Sequence, residues 1–163
     1  MVCYIHALVS LQSKTPGSAT GDMSVGDSIS ELFLASRVFS TMQELEHWLD
    51  QSLALNGGGS LAGKFDTLIM CRMDVASRNL ISGPDGQVLL LDWECAGFYP
   101  PELEIASLCE EGSCPSDLQF RDDLLEVLNA NFKQEIVRLL GKVHEVDGGD
   151  RWGFMCLETS KSR

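Results

Sequence analysis

Arg72-Met73-Asp74-Val75-Ala76-Ser77-Arg78-Asn79-Leu80-Ile81, followed after one reversal of the chain by Leu91-Asp92-Trp93-Glu94, is the stretch whose reading decides the fold. Two apolar runs frame it, Thr67 to Cys71 and Gln87 to Asp92, and Val88-Leu89-Leu90-Leu91 reads as a buried strand. Asn79-Leu80-Ile81 is placed to pair with that strand through the turn signal Gly83-Pro84-Asp85-Gly86. The expected order is therefore strand, bend, hairpin, with Asp74 and Asn79 on the bend and Asp92 at the end of the last strand. Singly, each polar residue has an ordinary explanation: an Asp before a turn caps it, and an Asp after a strand ends it. The ordered set is the informative feature.

Outward from this stretch the pattern turns helical. Ser40 and Thr41, followed by Gln43 and Glu44, form two overlapping capping-box candidates. Leu45, Trp48, Leu49 and Leu53 then recur at helical spacing, and Asn56-Gly57 closes the element before the connector Gly57-Gly58-Gly59-Ser60. Pro100-Pro101 predicts a helix over Glu102 to Cys109, because proline suits the first helical turn. A last long helix is expected from Ser116, carrying Leu118, Leu124, Leu125, Leu128, Phe132, Ile136 and Leu139, with Gly141 as its stop. Ser13 to Ser30 reads as an extended loop, and 145–163 as a flexible tail. The sum is a single α+β domain over 1–163, mainly helical, with a small β-hairpin.

The chain has 163 residues and a formal net charge of -12, with 44% hydrophobic and 22% charged residues. That suits one soluble globular domain with a real core. The acidic balance argues against nucleic acid as a partner, since phosphate neutralisation needs clustered Lys and Arg. No window approaches the roughly 18 apolar residues that span a bilayer, and Met1 to Ser10 lacks the features of a signal peptide, so no membrane and a cytoplasmic location are expected. Six cysteines without a C-x-x-C pair read as reduced thiols, and no second pair or nearby His completes a zinc set around Cys109 and Cys114. His6, His47 and His144 are dispersed. Oligomeric state is not encoded in any pattern we recognise.

Asp74 and Asn79 have the D-x-x-x-x-N spacing of a kinase catalytic loop, and Asp92 ends the following strand. Phosphoryl transfer needs a carboxylate to orient the attacking hydroxyl and take its proton, and hard oxygen donors to hold Mg²⁺ against the phosphates. The run MDVASRNLIS…GQVLLLDWECAGFYPPELE resembles the aminoglycoside phosphotransferase and choline kinase-like family, of protein-kinase-like fold, best between residues 8 and 108. Family members read H-x-D-x-x-x-x-N, then I-D-W-E-x-A-G, then a proline-marked helix. The segment from Gly17 through Leu49 is similar to the family's glycine-rich loop and the helix preceding its catalytic loop. The resemblance implies the C-terminal lobe of that fold, with Asp74 as catalytic base and Asn79 and Asp92 as metal ligands. It also implies Mg²⁺ and ATP as cofactors, and phosphoryl transfer to a hydroxyl of a small molecule. Trp93 is expected to pack, Glu94 to hold its loop, and Glu104, in Glu104-Ile105-Ala106, to brace the catalytic loop.

Two departures from the family pattern open a second reading. Arg72 stands where the family has a histidine that organises the loop backbone; a permanently charged guanidinium has the alternative of pairing with a carboxylate such as Asp74 or Asp92. The nucleotide-gripping lobe, with its glycine-rich loop and strand-borne lysine, is not found: Gly21 to Gly26 continues with Asp27-Ser28, and neither Lys14 nor Lys64 sits in a strand pattern. The alternative is thus a truncated, non-catalytic, pseudokinase-like fragment or binding module.

Overall fold

A computed structural model describes residues 7–19, 38–110, 115–128 and 133–144. Its described elements are β1 (Gln12–Ser13), β2 (Gly17–Ser18), α1 (Met42–Leu55), β3 (Leu68–Cys71) and β4 (Leu80–Ser82). They continue with β5 (Val88–Leu90), β6 (Gly97–Tyr99), α2 (Pro101–Glu110), α3 (Pro115–Leu128) and α4 (Gln134–His144). The fold is α+β.

Helix α1 forms where its sequence asks for it. Thr41 caps it, its hydroxyl accepting from the Glu44 N–H at 3.2 Å, while the Glu44 carboxylate reaches back to the Ser40 N–H at 2.7 Å. Leu45, Leu49 and Leu53, spaced by four, make one wholly buried stripe. Each contributes roughly 1.5–3 kcal/mol relative to exposure. Asn56 ends the helix, and Gly58 returns its N–H to the Leu53 carbonyl at 2.9 Å, with Gly57 at φ +92 making the reversal. The glycine connector then lies against α4: a Cβ on Gly59 would meet the Leu139 side chain at 2.7 Å.

The stripe packs against Leu103 and Ala106 of α2, Ile136 and Leu140 of α4, and Ile69 and Tyr99 of the sheet, forming the main core. Trp48 is partly buried beside it, its ring 5.6 Å from that of Phe39. Val75, Leu108 and Leu124 form a smaller cluster under α3. The expected long last helix is two elements. Lys133 is not helical and starts α4, which runs through Gly141 to His144, so Gly141 is no stop. Lys133 carbonyl capping of Ile136 and Val137 makes that start. Residues 20–37, 129–132 and the tail at 145–163 lie outside the described residues, and with them most of the expected Ser13–Ser30 loop.

The expected hairpin is present, but its second strand is not buried as expected: Leu89 is 50% and Leu91 41% exposed. Strands β4 and β5 pair antiparallel with Leu80 opposite Leu90 and Ser82 opposite Val88. The turn has Pro84 at its second position and Gly86 at φ +77 in its fourth, where a left-handed residue returns the chain to the ladder. A four-stranded antiparallel sheet, order β1-β3-β6-β2, was not expected. Its centre is the β3–β6 pair, where Cys71 lies opposite Gly97. Gly97 has no room for a side chain: a Cβ would sit 2.5 Å from the Gly17 carbonyl oxygen.

Candidate active site

The bend begins as β3 leaves the sheet. Arg72 and Met73 are buried, and Met73 holds φ +65, a left-handed conformation that a non-glycine residue adopts only where its surroundings enforce it. Helix α2 supplies the enforcement. Glu104 accepts the Met73 N–H at 2.7 Å, and Ser107, three residues further along the same helix face, donates its hydroxyl to the Met73 carbonyl at 2.5 Å. Glu104 braces the loop as expected. Burial pushes its carboxyl up to about 7, against the opposing pull of the Met73 and Arg72 N–H groups and the Arg72 guanidinium. Ser107 was not foreseen; the signal was its i,i+3 spacing from Glu104.

Asp74 follows directly, and the 3-10 turn Ser77–Asn79 brings Asn79 back to it. The Asn79 amide donates to Asp74 Oδ2 at 2.6 Å and to the Asp74 carbonyl at 3.2 Å. Since both partners are acceptors, this end of the amide is its NH₂, which leaves Oδ1 as the atom with capacity for a hard cation. Arg78 forms an ion pair with Asp74 Oδ1. The Asp74 side chain is 17% exposed and that of Arg78 59%, so the cation lies on the open side of the carboxylate. Ser77 ties the bend to α3 through a hydroxyl bond to Asp117 at 2.5 Å.

Asp92 comes just after β5 and holds φ +60. Two connections join it to the bend. The Leu91 N–H donates to the Asn79 carbonyl at 2.9 Å, and Arg72 Nη2 donates to the carbonyl oxygens of Leu91 and, at 2.9 Å, of Asp92. Arg72 therefore organises the loop backbone, and its hydrogen bonds do not go to the carboxylates of Asp74 or Asp92, the alternative raised by its charge. A flat, multiply donating side chain reaches two successive carbonyls where a carboxylate partner would have left them bare. The Asp92 side chain is exposed.

Asp74 and Asn79 are thus in direct contact, while Asp92 is linked to them through main-chain bonds. Trp93 departs from expectation: it is 43% exposed and uses its indole N–H on the Leu90 carbonyl at 2.9 Å instead of packing into the core. Glu94 is exposed as well.

The donor set of Asn79 and Asp92, one amide and one carboxylate oxygen, suits Mg²⁺, which retains several waters. Among the described residues no group of three or more His, Cys, Asp or Glu is placed to hold a metal. Cys71, Cys95 and Cys109 are buried. Burial, followed by the nearby Glu104, raises the Cys71 thiol well above its usual range, so it is an inert packing residue. Among the described residues no helix is long and apolar enough to cross a membrane. Compared with protein-family models, with curated proteins and with solved structures, the chain has no match.

Proposed function

We propose that the chain carries the phosphoryl-transfer site of a small-molecule kinase, built on the C-terminal lobe of a protein-kinase-like fold and working in the cytoplasm. The observation that carries the reading is the clasp between Asp74 and Asn79 on a braced bend, with Asp92 roped to that bend through Arg72 and Leu91. Asp74 orients the acceptor hydroxyl and takes its proton; Asn79 Oδ1 and the Asp92 carboxylate are the residues that would hold the ion. Mg²⁺ supplies charge neutralisation at the ATP phosphates when bound. Bracing at Met73 fixes the direction in which Asp74 leaves the core, and so the approach of the hydroxyl.

One observation favours the non-catalytic alternative. Arg78 already occupies Asp74 Oδ1, the oxygen left after Asn79 takes Oδ2, so an acceptor hydroxyl must share or displace it. The two readings separate in one experiment. The purified chain is given Mg·ATP and a panel of amino alcohols and aminoglycosides, alongside Asp74→Asn and Arg78→Ala. The kinase reading expects transfer that Asp74→Asn reduces at least about 100-fold; transfer undiminished in that variant removes the assignment. No transfer, and no Mg·ATP-dependent thermal shift, even in Arg78→Ala, leaves the binding-module reading.

A further inference from the structure

Arg78 stands on the open side of the candidate site, in an ion pair with Asp74 Oδ1. Its main chain is anchored within the 3-10 turn Ser77–Asn79. On one side Ser77 donates its hydroxyl to Asp117 of α3, and on the other the Asn79 amide donates to Asp74 Oδ2. The Arg78 side chain, by contrast, is 59% exposed, against 17% for that of Asp74. An ion pair so open to water is held weakly and exchanges partners at little cost. Arg72 cannot take such a part: it is wholly buried and spends Nη2 on the carbonyls of Leu91 and Asp92.

We infer that Arg78 changes partner as substrates bind, and that this makes it a catalytic residue; the inference rests on the phosphoryl-transfer reading above. It leaves Asp74 Oδ1 to the acceptor hydroxyl and places its guanidinium on the phosphoryl group in transfer. Reach is the first reason. The acceptor oxygen sits about 2.6–3.2 Å from Asp74 and attacks phosphorus from about 3–3.5 Å. The phosphoryl oxygens therefore come beside the carboxylate that Arg78 already touches. Chemistry is the second. The acceptor oxygen bonds to the γ-phosphorus of ATP as the bond from that phosphorus to the bridging oxygen breaks. The electron pair of the broken bond leaves with ADP, and the hydroxyl proton goes to Asp74. Negative charge spreads meanwhile over the three other phosphoryl oxygens, which a planar, permanently charged fork meets bidentately. The contact that obstructs Asp74 in the free chain is then the resting position of a side chain that acts one step later.

The test uses the full chain with Mg·ATP and the acceptor panel, in wild type, Arg78→Ala and Arg78→Lys. Arg78→Ala is expected to lower kcat at least about 100-fold while the acceptor KM stays within about threefold, the split that marks an interaction made in the transition state. Arg78→Lys keeps the charge without the fork and is expected to recover part of that loss. Binding supplies a readout that needs no turnover. Aluminium fluoride beside Mg·ADP imitates the planar phosphoryl group. It is expected to tighten Mg·ADP binding in wild type and not in Arg78→Ala, whose affinity for Mg·ADP alone stays that of wild type. Transfer by Arg78→Ala at or above the wild-type rate would mean a blocking contact, and a raised acceptor KM with kcat unchanged would mean acceptor recognition. Either overturns the inference and leaves the kinase reading standing, as does tightening by aluminium fluoride that survives in Arg78→Ala. No transfer and no Mg·ADP binding in any of the three proteins overturns the inference together with that reading.

Discussion

Among the described residues, two segments hold a non-glycine residue in the left-handed region, the bend at Met73 and the turn at Asp92, and they are built in opposite ways. Met73 is buried and gripped at both its N–H and its carbonyl by side chains of one helix. Asp92 is exposed, and its carbonyl is held by one guanidinium reaching out from the core. Aspartate tolerates this conformation better than methionine, which has no short polar group to compensate it locally. The contrast shows where the fold invests its interactions: the half that positions Asp74 is gripped by two side chains of one helix, and the half that carries Asp92 is held by the Arg72 guanidinium and one main-chain bond from Leu91 to Asn79.

The strongest way to break that contrast is to cut the brace. Glu104→Ala leaves the Met73 N–H without its acceptor, and a loss of about 1–3 kcal/mol of folding stability is expected in urea denaturation. Glu104→Gln keeps an acceptor oxygen and is expected to recover part of it. A loss below about 0.5 kcal/mol for Ala would mean that α2 does not enforce the bend.

The same carboxyl predicts a pH signature. Its folded value, raised to about 7, exceeds its ordinary 4.5, so the folded state binds the extra proton between them. Its contribution to stability is fully present below about pH 4.5 and is lost as pH rises towards 7. Comparing stability across that window in wild type and Glu104→Gln measures it: the downward slope assigned to this group should vanish in the variant. An unchanged slope would place the titration elsewhere.

The smallest effect is expected on the other side. Trp93→Ala removes a side chain that is 43% exposed, and its cost should stay within about 0.5 kcal/mol. If it exceeds the cost of Glu104→Ala, the ranking of the two segments is reversed.

Local signals carried well into the structure. The Thr41–Glu44 cap, the leucine stripe of α1, the prolines at the start of α2 and the turn from Gly83 to Gly86 all act over a few residues, so each is legible from sequence alone. The four-stranded sheet was not. Strands β1 and β2 have two residues each, too few to show alternation, and they exist because they find β3 and β6 across long stretches of chain. The same limit hid Lys133, which breaks the helical pattern that the apolar residues on either side continue.

For the candidate site, kinase-like spacing together with the family resemblance singled out Asp74, Asn79 and Asp92; the short bend brings the first two into contact, and the hairpin leaves Asp92 linked to them through Arg72 and Leu91. Arg72 read as a charged departure; only the folded chain shows it as a buried support, with two donors that find no partner among the described residues. A residue's identity fixes how many hydrogen bonds it brings. Which groups meet them depends on elements distant in sequence, here the carbonyls of Leu91 and Asp92.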